Sequence, residues 1–229
     1  MIVATYNVHG CIGADGQAAP ERIAAVLAEL EADLVALQEV GVVARSGPAL
    51  DQFDLLARAT GMRAIVGPTL VNGRNRYGNT LLTRLELRRV AQIDLSVPGR
   101  EPRGAIDALV ETAVGPLRVL ATHLGLDPRE RRIQARKLAS HVGDGGKERP
   151  IALLGDLNSV SGASLAPLRP RMGRLPRRRT YPARRPILPL DRVWVHPAEL
   201  LADLRAHRSP LARTASDHLP LRAELRLDA

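Results

Sequence analysis

Apolar and polar positions alternate along this chain with a period that switches repeatedly between helical and strand-like. From Pro20 to Ala32 the residues Ile23, Val26, Leu27 and Leu30 recur at i, i+3, i+4 and i+7, with Pro20 in the first turn, which predicts an amphipathic helix. Leu34–Val40 is apolar until Gln38-Glu39 and reads as a buried strand. Asp51–Thr60 predicts a second helix stopped by Gly61, and strands are expected between Gly78 and Leu95. Ile106–Val114 and Leu117–Thr122 read as a hairpin around Gly115-Pro116. Asp127 is placed to cap a third helix, started by Pro128 and running to about Val142. Ile151–Leu154, Val193–Val195, Leu200–His207 and Leu219–Leu227 supply the later strands.

No repeat and no shift in composition divides the 229 residues, so a single domain spanning 1–229 is expected. Helices alternating with strands, and hairpin-like strands in the middle, suit two sheets packed face to face with helices outside. A doubly wound parallel sheet fits that order less well.

Several apolar runs end in side chains that packing does not explain. Asn7 follows Met1–Tyr6, Glu39 follows Asp33–Leu37, His123 follows Leu117–Thr122, and Asp156 and Asn158 follow Ile151–Leu154. Burying such groups unpaired is costly, so they call for partners or a ligand. On an extended chain the i, i+2 spacing turns Asp156 and Asn158 to one side, where an acid and an amide could align a water and hold a phosphate oxygen. An Asp/Asn turn after the strand accounts for the same residues. His218 beside Asp217 suits a tuned acid–base group, with capping by Ser216 and Asp217 as the alternative. Asp191 could hold the His218 ring in one tautomer, or pair with Arg192 or another arginine. Glu39, Asn7 and Asp217 offer the oxygen donors that a hard cation needs, although Glu39 could equally be an exposed strand end. His123 could supply a second imidazole or a structural one.

Charge changes the picture of partners. Lys and Arg number 33 against 24 acidic residues, a formal net charge of +9, and lysine occurs only at Lys137 and Lys147. Arginine forks onto phosphate oxygens, which suits nucleic acid or acidic lipid. A genome rich in G and C would also favour arginine over lysine, but not the net excess. The stretch Arg169–Arg185 carries eight arginines among several prolines and is expected to be an exposed loop with a strong positive field. No apolar run reaches the roughly 18–20 residues of a membrane span. Cys11 is the only cysteine, excluding an internal disulfide, and the first residues lack the basic and apolar regions of a secretory leader. Together these features lead to the expectation of a cytoplasmic protein.

Read jointly, seven stretches resemble the endonuclease/exonuclease/phosphatase family. They are Thr5-Tyr6-Asn7-Val8-His9-Gly10, Leu37-Gln38-Glu39-Val40, Tyr77-Gly78-Asn79-Thr80, Thr122-His123-Leu124, Gly155-Asp156-Leu157-Asn158, Leu190-Asp191-Arg192-Val193 and Ser216-Asp217-His218. They follow the family's order across nearly the whole chain. The resemblance implies a four-layer α/β/β/α sandwich, two packed mixed sheets flanked by helices, with the site at one end of the sheets. It also implies dependence on Mg²⁺ or Mn²⁺, with Glu39 as main metal ligand, Asn7 beside it and Asp217 assisting. By the same resemblance Asp156 orients or activates water, Asn158 steadies the phosphate, His218 contacts it under the guidance of Asp191, and His123 serves the leaving-group side. Tyr77 and Asn79 would line the pocket.

The connections between these motifs are short and aromatics are few, so base reading and stacking have little support. Arg100, Arg103 and the Arg169–Arg185 stretch remain to grip phosphates; Arg184 and Arg185 either touch substrate or pair with Asp191. The reading is a metal-dependent phosphodiesterase, a nuclease without strong base preference. Two alternatives stay open: a phosphatase or phospholipase-type hydrolase acting on phospholipid headgroups, inositol phosphates or other small phosphate esters, and an inactive polyanion-binding module. No protein partner is predicted.

Overall fold

A computed structural model describes residues 1–43, 50–73, 75–143 and 150–227. Among the described residues, one sheet has seven strands. Its order is β11 (Leu201–Ala206), β12 (Leu221–Leu225), β1 (Ile2–Asn7), β2 (Leu34–Val43), β5 (Asn75–Thr83) and β4 (Arg63–Asn72), with the short β3 (Leu50–Asp51) beside β2. The second sheet has five strands in the order β10 (Asp191–His196), β9 (Ile151–Asp156), β8 (Gly115–His123), β7 (Gly104–Thr112) and β6 (Leu87–Asp94). The β1/β2 and β8/β9 pairs are parallel and the other pairs in the two sheets are antiparallel, so both sheets are mixed.

Strand alternation distributes the apolar residues over three cores. Val3, Leu34, Ala36, Val119, Ala121, Ala152, Leu154, Val193 and Ala223 fill the space between the sheets. Their neighbours Ala4, Tyr6, Val35 and Leu37 face the other way, onto α1 (Pro20–Leu30) and α2 (Gln52–Thr60). On the far side Leu120, Leu153 and Trp194 meet α3 (Pro128–Gly143) through Ala135, Leu138 and Val142. The result is the expected α/β/β/α sandwich. Two short helices, α4 (Arg169–Met172) and α5 (Ala212–Ala215), lie in the connections around β10 and β12.

The helix boundaries follow local chemistry. Asp51 accepts from Asp54 N at 3.2 Å to cap α2, and Gly61 ends that helix at φ 63°. Asp127 Oδ1 accepts from Arg129 N and Glu130 N ahead of α3. Two departures have plain causes. Strand β4 was not expected because Gly67-Pro68 interrupts it; β4 is a sheet edge with a register shift between Pro68 and Leu70, where a missing N–H is tolerated. The Arg169–Arg185 stretch begins as a helical turn, since Pro170 sits in the first turn of α4, where proline is accepted. Met172, Leu175, Thr180 and Ala183 anchor it, while most of its arginines are exposed as expected.

Candidate active site

The rows of residues between the sheets continue past their apolar part into polar side chains. Val3 and Thr5 lead to Asn7, Val119 and Ala121 to His123, Ala152 and Leu154 to Asp156, and Val195 and Val193 to Asp191. Register makes the last three neighbours: His123 pairs with Asp156 across β8/β9, and Asp156 with Asp191 across β9/β10. Gly155 permits this close packing; at φ 152° it has no room for a side chain, since a Cβ would lie 1.9 Å from Thr122 O.

Glu39 arrives by a different device. Strict alternation would put it on the helix side with Leu37. A register shift in β2 between Leu37 and Val40 inserts an extra residue, with Glu39 in the left-handed region at φ 60°. Such a bulge re-aims a side chain at a local conformational cost. Glu39 consequently accepts from Asn7 Nδ2 at 2.8 Å, and Asn7 Nδ2 also reaches Asp156 Oδ2 at 3.2 Å. Asn7 Oδ1 accepts from His9 N at 3.0 Å. Ser216 donates to Asn7 O at 2.8 Å, which ties the Ser216-Asp217-His218 segment to β1.

Asp191 is wholly buried. Its Oδ2 accepts from Thr180 Oγ1 and lies 2.9 Å from His218 Nδ1, while its Oδ1 has no partner among the described residues. Of the two roles open to Asp191, the structure has it on His218; Arg192 donates instead to the carbonyls of Asp191 and Ser159. Burial would lower the His218 pKa, but Asp191, with Asp156 and Asp217, outweighs it and pushes it up to about 10. His218 is therefore a cation at neutral pH, with Nε2 3.7 Å from Asp156 Oδ2.

His123 is the opposite case. Burial and the adjacent Arg103 guanidinium overcome the attraction of Asp156 and Glu39 and hold its pKa below the ordinary value. Arg103 Nη1 lies 3.2 Å from Nδ1, so a guanidinium donor faces that ring nitrogen, and the other is Nε2. That Nε2 is 3.6 Å from Asp156 Oδ2. Asn158 Nδ2 is 3.1 Å from His123 Nε2, so an N–H donor faces each ring nitrogen, and it also donates to Leu124 O.

Burial tends to raise both carboxyl pKa values at the centre, yet both end below the usual range. His123, Asn7, Tyr77 and His9 outweigh it at Glu39; His123, His218 and bonds from Asn158 N and Asn7 do so at Asp156. Both are ionised at neutral pH.

Exposure rises outward: the side chain is 2% exposed at Asp156, 22% at Glu39, 37% at Asp217 and 45% at His9. His9 Nδ1 stands 3.6 Å from Glu39 Oε2 and 3.8 Å from Asp217 Oδ2, so one mouth of the site is bordered by two carboxylates and an imidazole. Asp156, Asp191 and His218 form a tighter group, with ligand atoms within 4.8 Å of one another. The outer carboxylates offer the oxygen donors that suit a hard cation.

The remaining expected residues divide. Tyr77 is half-buried, and its own burial, with the charge of nearby Glu39, raises the phenol's pKa. Asn79 is buried and donates to Gly104 O on the other sheet at 3.0 Å. Arg103 is buried between His123 and Glu101, and Arg100 lies 3.5 Å from Asp127. Arg184 and Arg185 are exposed beside the site; Ala183 N donates to Asp217 O, and neither arginine reaches Asp191. Sequence reading assigned no role to His9, Thr180 or Tyr181, whose ring lies 4.8 Å from that of His218. The position of His9 inside the Asn7 stretch was an available signal; the contacts of Thr180 and Tyr181 arise only on folding.

A polar cluster of carboxylates, amides and imidazoles thus sits at one end of the two packed mixed sheets. The endonuclease/exonuclease/phosphatase family model matches residues 4–218, and the chain belongs to that family. The uncharacterized protein YbhP of Escherichia coli (strain K12) is 30% identical over 217 residues, covering 86% of this chain and 85% of YbhP. An endonuclease/exonuclease/phosphatase from Beutenbergia cavernae superposes with a TM-score of 0.80 at 24% identity, over 100% of this chain and 72% of that one. The mannosyl-6-phosphatase Bt3783 of Bacteroides thetaiotaomicron gives 0.78 at 18% identity, over 99% of each chain. Among the described residues, no helix is long and apolar enough to cross a membrane.

Proposed function

We propose that this protein is a divalent-metal-dependent phosphodiesterase of the cytoplasm, a nuclease without strong base preference that uses water as nucleophile. The observation that carries this reading is the cluster at the end of the inter-sheet layer: Asp156 stands in register between His123 and Asp191, and His218, held 2.9 Å from Asp191, closes over it with Nε2 3.7 Å from Asp156 Oδ2. Glu39, Asp217 and Asn7 would hold Mg²⁺ or Mn²⁺, for which carboxylate and amide oxygens are suitable hard donors. Such an ion supplies neutralisation of charge on the phosphate oxygens when bound.

The chain's own residues perform the remaining work. Asp156 accepts a hydrogen from the attacking water and orients its oxygen toward phosphorus. His218, held by Asp191, donates from Nε2 to a non-bridging phosphate oxygen, acting as a fixed cation and not as a base. Asn158 steadies the phosphate, and His123 borders the departing oxygen. The new P–O bond forms as the opposite ester bond breaks; the leaving oxygen takes the electron pair, and water's proton passes to Asp156 and on to solvent.

The competing reading is a phosphatase or phospholipase-type hydrolase of lipid headgroups, inositol phosphates or other small esters. It uses the same side chains, and a mannosyl-6-phosphatase shares the fold. A panel of single- and double-stranded DNA, RNA, a phospholipid and a small phosphomonoester, each with Mg²⁺ or Mn²⁺ and with EDTA, separates the two. Metal-dependent cutting of a nucleic acid is the expected result. Turnover confined to lipid or small esters replaces the substrate class, and no turnover of any member overturns the reading.

A further inference from the structure

Several arginines elsewhere in the fold pair with carboxylates. Arg22, Arg58, Arg76, Arg89 and Arg118 each meet an aspartate within 3.2 Å. Among the described residues, none of Arg169, Arg174, Arg177, Arg178, Arg179, Arg184 and Arg185 forms an ion pair with a carboxylate, and the Arg169 and Arg174 side chains make no hydrogen bond either. Four of them border a groove of about 1000 Å³ between edge strands β10 and β11, lined by Arg169, Arg174, Arg177, Arg178, Trp194 and Val195. Arg178 Nε donates to Leu204 O of β11 at 2.7 Å and Arg177 donates to Ser161 O, which fix two of these cations in place. Beneath them Arg192 is wholly buried; burial first, and Arg177 in addition, lower its pKa to about 10 against the pull of Asp191. The exposed arginines of the groove thus carry positive charge that, among the described residues, no carboxylate pairs with.

We infer that this groove is a second polyanion site that holds the phosphodiester backbone of a single nucleic-acid strand whose other part lies in the active site. Asp191 begins β10 and Trp194 and Val195 lie three and four residues on, so the groove starts about 10–13 Å along the strand from the catalytic cluster. That separation is spanned by a chain of phosphates and not by one phosphate group. Between the two places run Arg178, Arg179, Thr180 and, beyond it, Arg184 and Arg185. The groove is concave, which suits a chain better than a flat bilayer. Trp194 is buried with its Nε1 donating to Met172 O, so no ring is free for stacking and the grip falls on the backbone. The inference deepens the proposed hydrolysis by naming where the polymer lies, and its cleavage consequence rests on that reading, but the binding does not.

The test is fluorescence anisotropy of a labelled single-stranded oligonucleotide, in EDTA and across a salt series, with wild type and the doubly substituted Arg169→Ala/Arg174→Ala. Loss of two phosphate contacts should weaken binding several-fold at low salt and flatten the slope of log K against log[salt] by about 1.4. Arg169→Lys/Arg174→Lys, which keeps both charges, should retain the slope, and circular dichroism should report native folding for each variant. Equal affinity and slope for wild type and the alanine variant overturn the groove, as does stronger binding to anionic vesicles than to the oligonucleotide. Metal-dependent hydrolysis of a small phosphodiester by wild type is read separately. Hydrolysis without groove-dependent binding leaves the enzyme reading intact and removes the groove; binding without hydrolysis does the reverse.

Discussion

Two charged regions of this molecule follow opposite rules. At the end of the inter-sheet layer the charges are buried and matched: His218 lies 2.9 Å from Asp191, Asp156 stands within 4 Å of two imidazoles, and Asn7 joins Asp156 to Glu39. In the groove between β10 and β11 the arginines are exposed and, among the described residues, lack carboxylate partners. Geometry explains the contrast. A buried charge needs a partner at a fixed position, so its loss disturbs both structure and chemistry. An exposed guanidinium is solvated, costs the fold little, and acts through the field it projects. The buried cluster suits chemistry on a phosphate, whereas the edge suits capture of a polyanion.

The largest expected effect lies at the metal-facing carboxylate. Glu39→Ala should abolish metal-dependent turnover and weaken Mn²⁺ binding measured by calorimetry; unchanged Mn²⁺ affinity would move the metal site elsewhere. Next comes the fold. Asp191→Ala removes the partner of a buried His218 and should cost about 3–5 kcal/mol in urea unfolding. A loss under ~1 kcal/mol would show that the pair is not held as described. The linkage has a defined sign. A folded pKa raised from 6.5 to about 10 means that the His218 contribution is full below pH 6.5 and fades as the pH climbs toward 10. The stability gap between wild type and His218→Gln should therefore narrow across that window; a gap that widens contradicts the assignment. The smallest effect is on the other side of the comparison, where Arg174→Ala should shift unfolding free energy by no more than about 0.5 kcal/mol.

Much of this contrast is written in the chain. The alternation that fills the inter-sheet layer also aims Asn7, His123, Asp156 and Asp191 at one place, so both sandwich and site follow from the same period of two. The Glu39 bulge breaks that period, and a pattern reader would turn the carboxylate toward the helices. Strand β4 was hidden because Gly67-Pro68 looks like a break until the strand is known to be an edge. Arg103 reads as a phosphate grip from charge alone, whereas it is buried with Nη1 3.2 Å from His123 Nδ1. Thr180 on Asp191 and Tyr181 on His218 come from a connection whose path no local propensity specifies.

The most direct test of the central claim is the rate of hydrolysis of a small phosphodiester by wild type and His218→Ala, both shown to be folded, with Mn²⁺ and with EDTA. Turnover is expected to require the metal and to fall about 10²–10³-fold when the fixed cation is removed. Equal rates for the two proteins, or turnover indifferent to EDTA, would contradict it.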